Sequence, residues 1–285
     1  MGKTGLVVEG GGMKCAYCAG VLDQFLEHGI TFDYCIGVSA GAASVASYLA
    51  GQKGRNLRFY TEYIDDPWYF GVRSFLKNGD LFNLKYIYGD LTNSGGRDPL
   101  DLEALKKNPA EYEIVATCAE TGEGVYFSKD DLIQDDYRHV MASCAIPAVC
   151  RPVEIDGKHY YDGGLADSIP MQRALDRGCD KLVVIASKSR KFVKTPEKFR
   201  MMYTLMCRKY PKAVKALNDR YLTYRRQQKL MFDLEKAGTA FLFTPETDRK
   251  INTFTMDREV NQHMYDLGVQ DFRRKQQKLA AFLKA

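Results

Sequence analysis

Residues 34 to 51 read YCIGVSAGAASVASYLAG, and the architecture of the chain can be worked out from them. Tyr34 to Val38 is a short, almost continuous apolar run, the pattern of a strand buried on both faces. Ala40 to Ala50 is a helix of small residues that stops at Gly51, a common C-terminal signal. No loop separates the two elements. Ser39 therefore falls on a sharp strand-to-helix turn that exposes its hydroxyl, and Gly37 and Gly41 let strand and helix pack closely around it. The helix N-terminus also aims free backbone N–H groups at any anion that forms beside Ser39.

The same alternation continues on both sides. Gly5 to Glu9 reads as a strand, and Cys15 to His28 has helical spacing (Ala19, Val21, Leu22, Phe25, Leu26) that ends at Gly29. Glu113 to Cys118 and Val125 to Phe127 flank the turn residues 120–124 as a hairpin. Lys181 to Ala186 and Ala240 to Phe243 read as further strands. Strands alternating with helices predict the α/β class: a three-layer α/β/α sandwich with a central, mostly parallel sheet. The expected organisation is one domain over 1–285. A cap is expected at 65–110, where aromatics mix with turn signals such as Asp66-Pro67 and Asn93-Ser94-Gly95-Gly96. A basic helical elaboration is expected at 188–285. The sequence has no internal repeat and no low-complexity tract.

With 285 residues, 45% hydrophobic and 27% charged, the chain has ordinary globular composition. No run approaches the roughly 18 consecutive apolar residues of a membrane-spanning helix. Met1 to Leu6 leads at once into Leu6-Val7-Val8, leaving no room for a secretory leader, and Leu6 stands where a myristoylation signal wants Ser or Thr. The eight cysteines are scattered among apolar residues, the usage of a reducing compartment, so a cytoplasmic location is expected. Cys15 and Cys18 form a CxxC without the second pair or the histidines of a zinc site, and no metal is expected.

The segment Glu9-Gly10-Gly11-Gly12-Met13-Lys14 also follows a strand and opens a helix. In one reading it is a dinucleotide fingerprint with Asp33 as the ribose-binding acid, although Cys15 occupies the place of the third glycine. In the other, Gly10, Gly11 and Gly12 present backbone N–H groups as an oxyanion hole, with Lys14 adding positive charge, which explains the glycines and Ser39 together. Gly2-Lys3-Thr4 resembles the tail of a P-loop but precedes a strand and has no upstream glycine.

A serine nucleophile needs a proton acceptor, usually histidine. None of His28, His139, His159 and His263 carries a motif around it. Tyr160-Tyr161-Asp162-Gly163-Gly164 instead sets a carboxylate between an aromatic strand and a glycine turn. Taken in order, the Gly10–Lys14 loop, Gly37–Gly41 and Asp162–Gly164 resemble the patatin-like phospholipase family, in particular its compact bacterial members. Ala142 to Pro147, followed by Arg151-Pro152-Val153, looks like a further block of it. The resemblance covers residues 5–187 well and the rest loosely. It implies a Ser39–Asp162 dyad without histidine, oxyanion N–H groups from Gly11 and Gly12, and Lys14 where the family carries Arg or Lys. It further implies a lipid acyl hydrolase of phospholipase A or esterase type that passes through an acyl-enzyme and needs no cofactor. The alternatives are a catalytically silent lipid-binding protein of the same fold and a nucleotide-binding oxidoreductase.

Residues 188–236 hold 15 Lys/Arg against 4 Asp/Glu, a local +11 that leaves −6 on the rest of a +5 chain. Interleaved with Phe199, Met201, Met202, Leu205, Met206, Tyr221, Leu222 and Tyr224, this basic segment has two readings. It can make peripheral contact with an anionic membrane, or it can bury its apolar residues on the sheet while Lys and Arg solvate the outer face. No nucleic-acid motif accompanies the charge.

Overall fold

A computed structural model describes residues 2–247 and 249–284; Met1, Asp248 and Ala285, which the expected 1–285 domain includes, lie outside them. The described strands are β1 (Lys3–Val8), β2 (Tyr34–Val38), β3 (Glu111–Cys118), β4 (Gly124–Ser128), β5 (Val153–Ile155), β6 (Lys158–Asp162), β7 (Cys179–Ile185) and β8 (Ala240–Phe243). They form an eight-stranded sheet in the order β5-β6-β3-β2-β1-β7-β8, with β4 also paired to β3. The block β3-β2-β1-β7-β8 is parallel, and β4, β5 and β6 make an antiparallel margin.

The helices are α1 (Ala16–Glu27), α2 (Ala40–Leu49), α3 (Arg55–Thr61), α4 (Val72–Asn78), α5 (Leu102–Lys107), α6 (Arg138–Cys144), α7 (Met171–Asp176), α8 (Arg200–Met206), α9 (Pro211–Lys236) and α10 (Arg258–Lys284). Strand side chains alternate between two cores, as the pleat requires. Leu6 and Val8 pack with Val21, Phe25 and Phe272 from α1 and α10 on one face. Val7, Ile36 and Val184 pack with Met171 of α7 and with Tyr224 and Met231 of α9 on the other. The result is the three-layer α/β/α sandwich. Residues of the expected cap, among them Phe82, Leu84, Ile87 and Leu105, are buried in the first core.

The predicted helix from Cys15 starts one residue later, because Gly12–Cys15 forms a 3-10 turn first. Cys15 is buried there and its thiol donates to the Glu9 carbonyl at 3.5 Å, closing the loop on itself. The basic segment splits into two kinds of surface. Tyr203, Tyr224 and Met231 are buried, whereas Phe199, Met201, Met202, Leu205 and Met206 are exposed.

Candidate active site

The site is assembled by hydrogen-bond register along one strand. On β3, Val115 pairs with Val38, the last residue of β2, and Ala116 pairs with Asp162, the last residue of β6. Strand β4 pairs with residues 113 to 117 and so occupies the opposite edge of β3 against both partners. Strands β2 and β6 must therefore share the other edge, end to end, and their termini meet. Ser39 and Asp162 are the residues at that junction.

At Ser39 the backbone takes φ 55°, ψ −132°, outside the regions that non-glycine residues favour. Its N–H donates to Ser143 Oγ at 2.7 Å, and the Ser143 hydroxyl donates to the Val115 carbonyl at 2.6 Å, where β2 stops pairing. The last turn of α6 thus pins the Ser39 turn to β3. Ser143 was not singled out in the sequence, because its role depends on this register. Gly37 ends β2 with Val38, and Gly41 lies in the first turn of α2, its Cα against the carbonyls of Val8 and Glu9.

Asp162 N–H donates to the Ala145 carbonyl at 2.8 Å, and Gly164 N–H donates to Asp162 Oδ1 at 2.7 Å. A side chain at Gly163 would run into the Val115 carbonyl, so only glycine lets the chain turn away here. Burial pushes the Asp162 carboxyl above its ordinary range; the Arg220 guanidinium, the neighbouring Ser39 hydroxyl and the Gly164 N–H act against that shift. Arg220, on α9, donates from Nε to the Gly164 carbonyl at 2.6 Å. Within a basic run it carries no sequence signal that separates it from its solvated neighbours.

The glycine loop lies alongside. A Cβ on Gly10 would stand 2.8 Å from the Val38 carbonyl and 3.0 Å from Ser39 Cβ, so its absence lets loop and serine approach. The Ser187 hydroxyl donates to the Gly10 carbonyl at 2.7 Å, and Ser187 N–H donates to Glu9 Oε2 at 2.8 Å; Lys188 forms an ion pair with Glu9. Among the described residues, the N–H groups of Gly11 and Gly12 meet no acceptor, while Met13 N–H reaches the Thr253 carbonyl. Lys14 lines the same cleft, and burial, aided by Lys188, pushes its ammonium down to about 8.

Ser39, 6% exposed, stands where two cavities meet. The outer cleft, about 380 Å³, also holds Asp162, Gly10–Gly12, Lys14 and Arg220. The inner pocket, about 60 Å³, is walled by Phe59, Tyr60, Phe82, Leu84 and Ile87. No histidine lines either cavity among the described residues. His28 Nδ1 lies 2.9 Å from the Gln24 carbonyl, His159 lies beside Glu120, and His139 packs on Phe127. Cys144 borders the inner pocket, but burial pushes its thiol well above the ordinary range, which suits a buried apolar residue and not a nucleophile.

The dinucleotide reading is corrected by Asp33. It accepts from Thr4 N–H at 2.8 Å at the start of β1, whereas the glycine loop follows the end of that strand. Six residues of strand, about 20 Å, separate them, so no ribose could bridge the two.

The fold and the turn at Ser39 place this molecule among three-layer α/β/α proteins with a serine elbow at the end of a central strand. It belongs to the patatin-like phospholipase family, whose sequence profile matches residues 6–175. A second profile, described as a domain of unknown function (DUF6363), matches residues 210–284. The chain is 29% identical over 217 residues to the uncharacterized protein YjjU of Escherichia coli K12, covering 70% of this chain and 56% of the relative. It is 32% identical over 90 residues to the uncharacterized NTE family protein Rv1063c of Mycobacterium tuberculosis, covering 32% of this chain and 24% of the relative. It thus spans less than two thirds of the length of these relatives. The structure of VipD from Legionella pneumophila is similar at a TM-score of 0.45 and 14% identity, covering 96% of this chain and 67% of that one.

Proposed function

We propose that the protein is a lipid acyl hydrolase of phospholipase A or esterase type, with Ser39 as nucleophile and Asp162 as its direct proton acceptor. The observation that carries this reading is the shared edge of β3, on which Val38, the residue before Ser39, and Asp162 pair on consecutive rungs. In the reaction, Ser39 Oγ attacks the ester carbonyl carbon as its proton passes to Asp162. The tetrahedral oxyanion is held by the unengaged N–H groups of Gly11 and Gly12, with Gly10 shaping the loop and Lys14 adding positive charge. One such donor is typically worth about 3–4 kcal/mol in the transition state. Collapse expels the alcohol, which takes the proton from Asp162, and leaves an acyl-enzyme. Water, giving a proton to Asp162, then attacks the acyl carbon, and collapse breaks the bond to Ser39 Oγ, which takes the proton back from Asp162 as the fatty acid leaves.

The apolar inner pocket suits an acyl chain, and the basic outer cleft suits the polar remainder of the lipid. The same reading treats the chain as one hydrolase domain, in which residues 65–110 wall the acyl pocket and 188–285 complete the sheet and the cleft. A fluorophosphonate probe tests the assignment. Labelling should vanish in Ser39→Ala, and Asp162→Asn should stay folded while turnover drops by roughly 10²–10⁴-fold, the range of a positioned general base. Labelling that persists without Ser39 overturns the mechanism.

A further inference from the structure

Among the described residues, a cluster of strongly exposed large apolar side chains lies beside the cleft that holds Ser39. Met201 is 89% exposed, Phe199 74% and Leu205 66%, all on or next to α8, a helix that buries only Tyr203. A second group lies on α4, where Leu76 is 80% and Val72 69% exposed. Phe199 and Met202 line the outer cleft, and the chain leaving α4 reaches it at Leu81, three residues past the helix. Solvated surface does not account for large side chains gathered at one rim, because scattered single residues are the norm.

The charge around them selects the occupant. Residues 188–212 carry nine Lys/Arg and a single acid, Glu197. Lys191, Lys198, Arg200, Arg208, Lys209 and Lys212 are exposed and form no ion pair among the described residues. A second copy would bring the same positive face to this one, and like charge opposes such pairing. An anionic lipid surface accepts both features, with cations among the headgroups and apolar side chains at the acyl boundary.

We propose that α8, supported by α4, is a docking face for a bilayer carrying anionic phospholipid, seating the mouth of the Ser39 cleft on the membrane. The inference rests on the lipid-ester reading for its purpose but is tested apart from it. Co-sedimentation with vesicles of phosphatidylcholine and phosphatidylglycerol should capture the full chain, less so as salt rises. Met201→Glu/Leu205→Glu, neither residue lining a cavity, should cut the bound fraction on the order of tenfold or more. Leu76→Glu should weaken it independently. Hydrolysis of a soluble short-chain ester should be unchanged in these variants, while Ser39→Ala should bind vesicles as the wild type does, so the loss of docking and the loss of chemistry are read separately. The proposal is overturned if the wild type ignores anionic vesicles, if the double variant binds equally well, or if light scattering shows that the same residues instead hold two copies together.

Discussion

Ser39 is held in a backbone conformation that costs on the order of 1–3 kcal/mol for a residue with a side chain. The bridge through Ser143 offsets part of this by joining the Ser39 N–H to the end of β2's ladder. Ser143→Ala should leave both groups unsatisfied, lowering stability in urea by about 1–3 kcal/mol and reducing kcat more than KM; unchanged values for both would remove Ser143 from the account. Asp162 carries the opposite tension. Its folded pKa lies above the ordinary 3.8, so the native state favours the neutral acid. The stability this group contributes is complete below 3.8 and is lost as pH climbs through the raised value. Asp162→Asn has no such loss. It should therefore gain on the wild type between pH 3.5 and pH 7 in thermal melts, even as it loses turnover, and a gap that does not widen with pH would show that ionisation there is cost-free.

At the scale of elements, α10 closes one face of the sandwich by laying Phe272 against Phe25 and Phe243. Phe272→Ala should cost about 3–5 kcal/mol in equilibrium unfolding, and a cost near zero would mean that α10 is dispensable to the core. The strands and helices on either side of Ser39 were legible in the sequence because a fully apolar strand, a turn of small residues and a glycine stop leave few other arrangements. The hairpin β3–β4 and strand β8 were legible for similar local reasons. Asp162 was legible only in company with the other blocks, since an Asp-Gly-Gly run is first of all a turn. The roles of Ser143, within the Ala142–Pro147 block, and of Arg220 were not legible: one depends on where β2 stops along β3, the other on which turn of α9 meets Gly164. The division of the basic segment escaped for the same reason. Tyr224 and Met201 have similar neighbours in sequence, and only packing against the sheet buries the first and leaves the second in water.

Across the whole molecule, the residues beyond the patatin-like profile are built into the same sheet. Strand β8 pairs with β7, α9 covers Met171 and Val184, and α10 packs on α1. A chain cut after Ala186 should expose β7 as an apolar edge and lose both covering helices. It should appear in the insoluble fraction, or melt without cooperativity; a soluble fragment with a sharp melt would show that the first 186 residues fold alone. The meeting of two strand ends on one edge of β3 also has a consequence in time. Ser39 leaves the ribosome more than a hundred residues ahead of Asp162, and Arg220, which ties down the turn after Asp162, follows later still. On the proposed dyad, a nascent chain carries its nucleophile long before it can use it. A chain abandoned between the two residues would hold a serine with no carboxylate beside it to take its proton.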